Sequence, residues 1–113
     1  MYSTKVIGER IRRLRKKKAW SQARLAEEIG VSENFIGYLE RAEKSGTLET
    51  LEKLAIALDT SLSELLFMSE KLGKNENPEI LIEIVDKLSD RSIEIQKAAL
   101  LTVDALLSVD PQK

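Results

Sequence analysis

Apolar residues recur along the chain at spacings of three and four, strand-like alternation is absent, and glycine and proline are few. That pattern predicts an all-α fold with short connections. Seven helices can be placed. The first, over about residues 4 to 18, gathers Ile7, Ile11 and Leu14 on one face. The second starts at Ser21, which can cap the N–H groups that follow it, with Trp20 placed to staple onto Leu25. It ends at Gly30, a residue suited to the left-handed position that terminates a helix. Ser32 is the next N-cap, with Val31 and Ile36 as its staple, and the third helix spans about 32 to 41. Helix, three-residue turn, helix is the spacing of a helix-turn-helix unit.

A fourth helix, about 47 to 58, repeats Leu48, Leu51, Leu54, Ala55 and Leu58 on one side. A fifth starts with the capping box Ser61-Leu62-Ser63-Glu64 and buries Leu62, Leu65 and Leu66. Ser69 to Glu76, with Gly73 and Asn75, reads as a linker. Asn77-Pro78 opens a sixth helix running to about Leu88, Ser89-Asp90 breaks it, and a seventh runs from about Arg91 to Val109, before Asp110-Pro111. The expected organisation is therefore a five-helix domain at 1–68, a linker at 69–76 and a helical hairpin at 77–113.

The hairpin is too apolar for a solvated appendage. Six of eleven residues in 78–88 and eleven of nineteen in 91–109 are apolar, whereas a helix packed on one side needs a single stripe.

Composition narrows the chemistry. A chain of 113 residues holds one ordinary domain, or a very small one with an appendage, and 42% apolar with 33% charged residues is the composition of a folding chain. With no cysteine and no histidine, thiolate chemistry, disulfides, Cys-ligated zinc and the usual general base are excluded. Adjacent carboxylates such as Glu27-Glu28 are neighbours on a helix surface, so no enzyme, metal or cofactor is expected. No apolar run approaches the length of a membrane span, and the N-terminal stretch leads into a charged helix without a signal-peptide core; a soluble, intracellular protein is expected.

A net charge of −1 argues, as an average, against a nucleic-acid partner. The average conceals a gradient. Residues 1–68 carry 12 Lys and Arg against 10 Asp and Glu, and residues 69–113 carry 6 against 9. Arg10, Arg12, Arg13, Arg15, Lys16, Lys17 and Lys18 put seven cations in nine residues.

Ile7-Gly8-Glu9-Arg10-Ile11-Arg12-Arg13-Leu14-Arg15, Ser21-Gln22-Ala23-Arg24-Leu25-Ala26, Gly30-Val31-Ser32, Ile36-Gly37-Tyr38-Leu39-Glu40-Arg41 and Leu48-Glu49-Thr50-Leu51-Glu52-Lys53-Leu54-Ala55 follow one another in order. The ordered set resembles the lambda-repressor-like helix-turn-helix domain of phage repressors and Cro proteins, the XRE family. The resemblance implies a cytoplasmic, bacterial or phage-encoded regulator that binds double-stranded DNA, with its third helix in the major groove. It implies base contacts from Ser32, Glu33, Asn34, Gly37 and Tyr38, among which Asn34 can pair bidentately with adenine and Glu33 can accept from cytosine. It implies phosphate contacts from Gln22, Arg41, Lys44 and Lys17, and an internal salt bridge between Arg15 and Glu40. Ala19 and Ala42 stand where the family usually has Gly, which predicts a different path for those two turns; Phe35 replaces a frequent Tyr and brings no hydroxyl to phosphate.

Within that resemblance the hairpin is expected to form a two-fold homodimer interface through Leu81, Ile84, Val85, Leu88, Leu100, Val103 and Leu107, presenting two recognition helices to two half-sites of an operator as a repressor. The competing expectation is that the hairpin packs on the first domain and finishes a monomer core. A second function class is an interaction module, such as an antitoxin or anti-repressor partner, kept open by Glu33 and Glu43 near the DNA-facing side; a protein regulator is a further partner in either case.

Overall fold

The computed structural model describes residues 3–75 and 78–109, so the expected Asn77 cap and Asp110-Pro111 stop lie outside the described residues. Among the described residues the chain is all-helical: α1 (Thr4–Lys17), α2 (Gln22–Ile29), α3 (Glu33–Glu40), α4 (Leu48–Ala57), α5 (Leu62–Leu66), α6 (Ser69–Leu72), α7 (Glu79–Leu88) and α8 (Ile93–Ser108). Contacts divide it into two units, Met1–Glu79 and Ile80–Lys113.

Helix starts follow the cap residues. Ser21 Oγ accepts from Arg24 N at 3.0 Å, Ser32 Oγ from Phe35 N at 3.1 Å, Thr47 Oγ1 from Thr50 N at 3.1 Å and Ser61 Oγ from Glu64 N at 3.1 Å. Each bond satisfies an N–H that the helix itself leaves without an acceptor. Gly30 closes α2 in the left-handed conformation at φ 76°.

The expected departure at Ala19 and Ala42 is corrected. Both adopt the left-handed conformation, at φ 60° and 59°, so the turns after α1 and α3 follow the route that Gly would take. What holds them there is hydrogen bonding. Ala19 N donates to Lys16 O at 2.9 Å and Trp20 N to Arg15 O at 3.1 Å, while Ala42 N donates to Leu39 O at 3.1 Å and Glu43 N to Tyr38 O at 2.8 Å. The carbonyls at each helix end are thereby satisfied, which offsets a conformational cost of about 1–2 kcal/mol for a residue with a Cβ.

Within the stretch read as a linker, Ser69–Leu72 forms a helical turn with Ser69 and Leu72 buried. Four residues are too few to show a period, and Met68, at its start, is left-handed with no side-chain cap, so no sequence signal marked it. The basic run supplies one support. Arg10 is buried at 3% exposure and its Nη1 donates to the carbonyls of Leu65, at 3.3 Å, and Phe67, satisfying acceptors at the end of α5.

The core of the first unit gathers Ile7 and Ile11 of α1, Leu25 and Ala26 of α2, Ile36 and Leu39 of α3, Leu51, Leu54 and Ala55 of α4, and Leu65 of α5. Gly8 lets α1 approach the end of α3: a Cβ there would lie 2.4 Å from Leu39 O and 2.8 Å from Glu40 O. This contact fixes where α3 sits.

The second unit is a helical hairpin. Ser92 caps α8 by accepting from Ile95 N at 3.3 Å, and Gln96 Nε2 donates to Leu88 O at 2.7 Å across the turn. α8 has no buried residue along its length. No helix of the described residues is long and apolar enough to cross a membrane.

Candidate nucleic-acid interface

At 100° of rotation per residue, Glu33, Gly37, Arg41, Asn34 and Tyr38 fall in that angular order on one arc of α3 of roughly 140°. Phe35, Ile36 and Leu39 lie on the other side and pack into the core. The fold thereby turns Glu33, Asn34 and Tyr38 outward together. Ser32, Glu33 and Asn34 are exposed at the start of α3. Ser32 Oγ is engaged as the helix cap, leaving its O–H to donate, and Glu33 lies in the first turn, where the helix dipole favours an anion.

Gly37, among the implied base contacts, is covered in the free protein. It is buried, and a Cβ at that position would meet Arg41 Nη1 at 2.9 Å, because the guanidinium folds back over it. Arg41 also lies over the Tyr38 ring, 5.6 Å from the centroid, and pairs with Glu43 across the turn. Lys44 Nζ stands 4.7 Å from the same ring, so Tyr38 is flanked by two cations.

Gln22, the first residue of α2, is half-buried and its Nε2 donates to Glu40 Oε1 at 3.1 Å. One amide hydrogen is thus used inside the protein and the other remains for an external acceptor. The same carboxylate takes Arg15 in a bidentate pair, Nε to Oε2 at 2.7 Å and Nη2 to Oε1 at 2.9 Å, and Arg15 Nη1 donates to Trp20 O at 2.9 Å. The Glu40 hydrogen bond raises the Arg15 guanidinium above its ordinary value, so it stays charged at any pH at which the fold is studied. Arg15, Trp20, Gln22 and Glu40 tie together α1, the turn after it, the start of α2 and the end of α3.

The family described as Helix-turn-helix matches residues 11–65. The Vibrio cholerae cryptic phage CTXphi transcriptional repressor RstR is 33% identical over 101 residues, 89% of this chain and 87% of that protein. The chain belongs to the lambda-repressor-like helix-turn-helix family. Another member, the Bacillus subtilis transcriptional regulator SinR, is 37% identical over 62 residues, and the chain spans 56% of its length and 32% of that of the Escherichia coli regulator SutR. Among solved structures the P22 c2 repressor in complex with a synthetic operator aligns with a TM-score of 0.52 at 43% identity, over 54% of this chain and 92% of that one. The SinR–SinI complex aligns with a TM-score of 0.53 at 28% identity over 90% of this chain and 98% of that one. The family is one of transcription regulators, not enzymes.

As in any helix-turn-helix domain, which cations remain available decides the electrostatics, and the basic run is mostly spoken for. Arg10 is buried, Arg12 and Arg13 pair with Glu9 at 3.4 and 3.9 Å, Arg15 with Glu40 and Lys18 with Asp59 at 2.5 Å. Lys16 and Lys17 are exposed and form no ion pair among the described residues. The roles of Arg10 and Gly8 were missed by sequence reasoning, for a cation beside other cations gives no local sign of burial.

In the hairpin the expected interface residues are largely uncovered. Leu81, Ile84, Leu100, Val103 and Leu107 are exposed and Val85 and Leu88 half-buried, whereas Ile82 is buried. Leu101, Leu106 and Val109, which the expected interface left out, are more exposed still, at 71%, 64% and 77%.

Proposed function

We propose that this chain is a sequence-specific DNA-binding transcriptional regulator, a repressor, that acts as a homodimer on a two-fold symmetric operator with α3 in the major groove. The observation that carries this reading is the outward arc of α3, which presents Glu33, Asn34 and Tyr38 together. Support comes from the family and from SinR and the P22 c2 repressor, both solved in complex with DNA. Asn34 and Glu33 read base edges; Gln22, Lys17, Lys44 and Arg41 meet phosphates, and Ser32 and Tyr38 complete the contact surface. Gly37 takes part only where Arg41 has moved away from it.

The homodimer rests on the hairpin. Leu81, Ile84, Val85, Leu88, Leu100, Val103 and Leu107 form the two-fold interface, which takes apolar side chains of α7 and α8 out of solvent. The cytoplasmic setting follows from the same reading.

The test is selection of the purified protein on random duplex DNA at near-physiological salt, followed by sequencing of the retained fraction. An enriched motif of two half-sites about one helical turn apart supports both DNA readout and the dimer. Weak binding without enrichment, lost as salt rises, overturns the specific-readout reading. A second reading, an interaction module that uses these helices to bind protein, is favoured by the apolar surface of α8 and by the SinR–SinI match across 90% of the chain. It predicts a stoichiometric protein partner and no enriched DNA.

A further inference from the structure

We infer that Glu43 is an affinity-setting residue that holds Arg41 folded onto α3, so that the free protein withholds this cation from DNA. The inference rests on the DNA-binding reading of α3 for its functional consequence, but the contact itself is a property of the free protein. Three observations converge on Arg41. Its guanidinium pairs with the Glu43 carboxylate through Nε. It lies over the Tyr38 ring at 5.6 Å. It occupies the space above Gly37, where a Cβ would stand 2.9 Å from Nη1.

The three contacts describe one folded position, with Glu43 as its charged partner. The carboxylate supplies the charge, the ring a face with negative electrostatic potential, and Gly37 the room. A glycine inside a helix is otherwise unfavourable, since it costs about 1 kcal/mol relative to alanine. Its place here has a physical reason in the guanidinium it accommodates. Glu43 is in the turn after α3, held by the bond from its N–H to Tyr38 O at 2.8 Å, so its backbone is fixed against the same helix.

A guanidinium paired with a carboxylate presents little net charge to an approaching phosphate. To reach DNA, Arg41 must leave Glu43 and Gly37, and the equilibrium between folded and released positions lowers the apparent affinity by the fraction released. An exposed ion pair is weak, so the device tunes affinity and does not switch it off.

The test is a mutant cycle with two readouts. In the free protein, the Arg41 Nε–H is expected to show a distinct, slowly exchanging proton resonance that is lost in Glu43→Gln. A wild-type Arg41 Nε–H exchanging as fast as that of an unpaired arginine overturns the inference whatever happens with DNA. On a DNA fragment that the wild type binds, Glu43→Gln should tighten binding about two- to fivefold at moderate salt, and should not do so in an Arg41→Ala background. An equal gain from Glu43→Gln with and without Arg41 means simple repulsion between Glu43 and phosphate and overturns the contact as the cause. If no variant and no wild type binds DNA while the Arg41 resonance behaves as expected, the DNA reading fails and with it the affinity-setting role, and only the intramolecular contact stands.

Discussion

The hairpin is richer in apolar residues than the helix-turn-helix unit, yet it buries far fewer of them. In the first, Leu25, Ile36 and Leu54 are wholly buried and even two arginines, Arg10 and Arg15, are taken inside and given partners. In the second, α8 buries nothing, and Leu101, Leu106 and Val109 face solvent. Apolar content alone therefore does not make a core. Burial requires several helices brought to one place, and α1 to α5 do this because Gly8 lets two of them touch and the Arg15–Glu40 pair locks their spacing. Within the hairpin, α8 has only α7 beside it in its own unit, and two helices cannot enclose all the apolar surface they carry.

The largest test of that contrast is electrostatic. Glu40→Ala leaves Arg15 buried without its carboxylate and is expected to cost about 3–5 kcal/mol, read as a shift of the urea midpoint. A cost below about 1 kcal/mol would mean that the pair is not what spaces α1 and α3. Next comes the core itself. Leu54→Ala should cost about 2–5 kcal/mol at any protein concentration, whereas Leu107→Ala should leave the urea transition of a dilute monomer nearly unchanged and weaken self-association in sedimentation. Concentration-independent destabilisation by Leu107→Ala would remove the hairpin from the interface.

Gly8→Ala should destabilise by about 1–3 kcal/mol, since the added methyl meets backbone carbonyls that cannot move aside as a flexible side chain would. The smallest effects have the opposite sign. Ala19→Gly and Ala42→Gly each relieve a left-handed φ and should stabilise by about 0.5–1 kcal/mol after the entropy of glycine is subtracted, visible as a rise in Tm. Destabilisation by both would show that the closing hydrogen bonds, not relief of φ, dominate these turns.

Much of this was legible in the amino-acid order because it depends on neighbours in sequence. Caps at Ser21, Ser32, Thr47 and Ser61 bond N–H groups three residues on, and the apolar period of α1 to α4 tells which side faces inward, except at Leu48, which begins α4 and is exposed. The helix-turn-helix and the outward arc of α3 follow from these local rules. α6 was not legible, because a four-residue turn has no period and is held by burial of Ser69 and Leu72.

What the sequence determined by itself was the order of every helix but α6, the caps of α2 to α5 and the family. Only the tertiary structure decided which of seven adjacent cations is buried, which is paired and which is left exposed, because that sorting depends on Leu65, Glu40 and Asp59, between 25 and 55 positions away from the cation each meets. It also decided that Ala19 and Ala42 turn as glycine would, and that Gly37 lies beneath Arg41. The physical reason is the same in each case. A side chain's partners are set by what the fold brings within about 3 Å of it, a distance over which charge and hydrogen bonding act and about which adjacency in sequence says nothing.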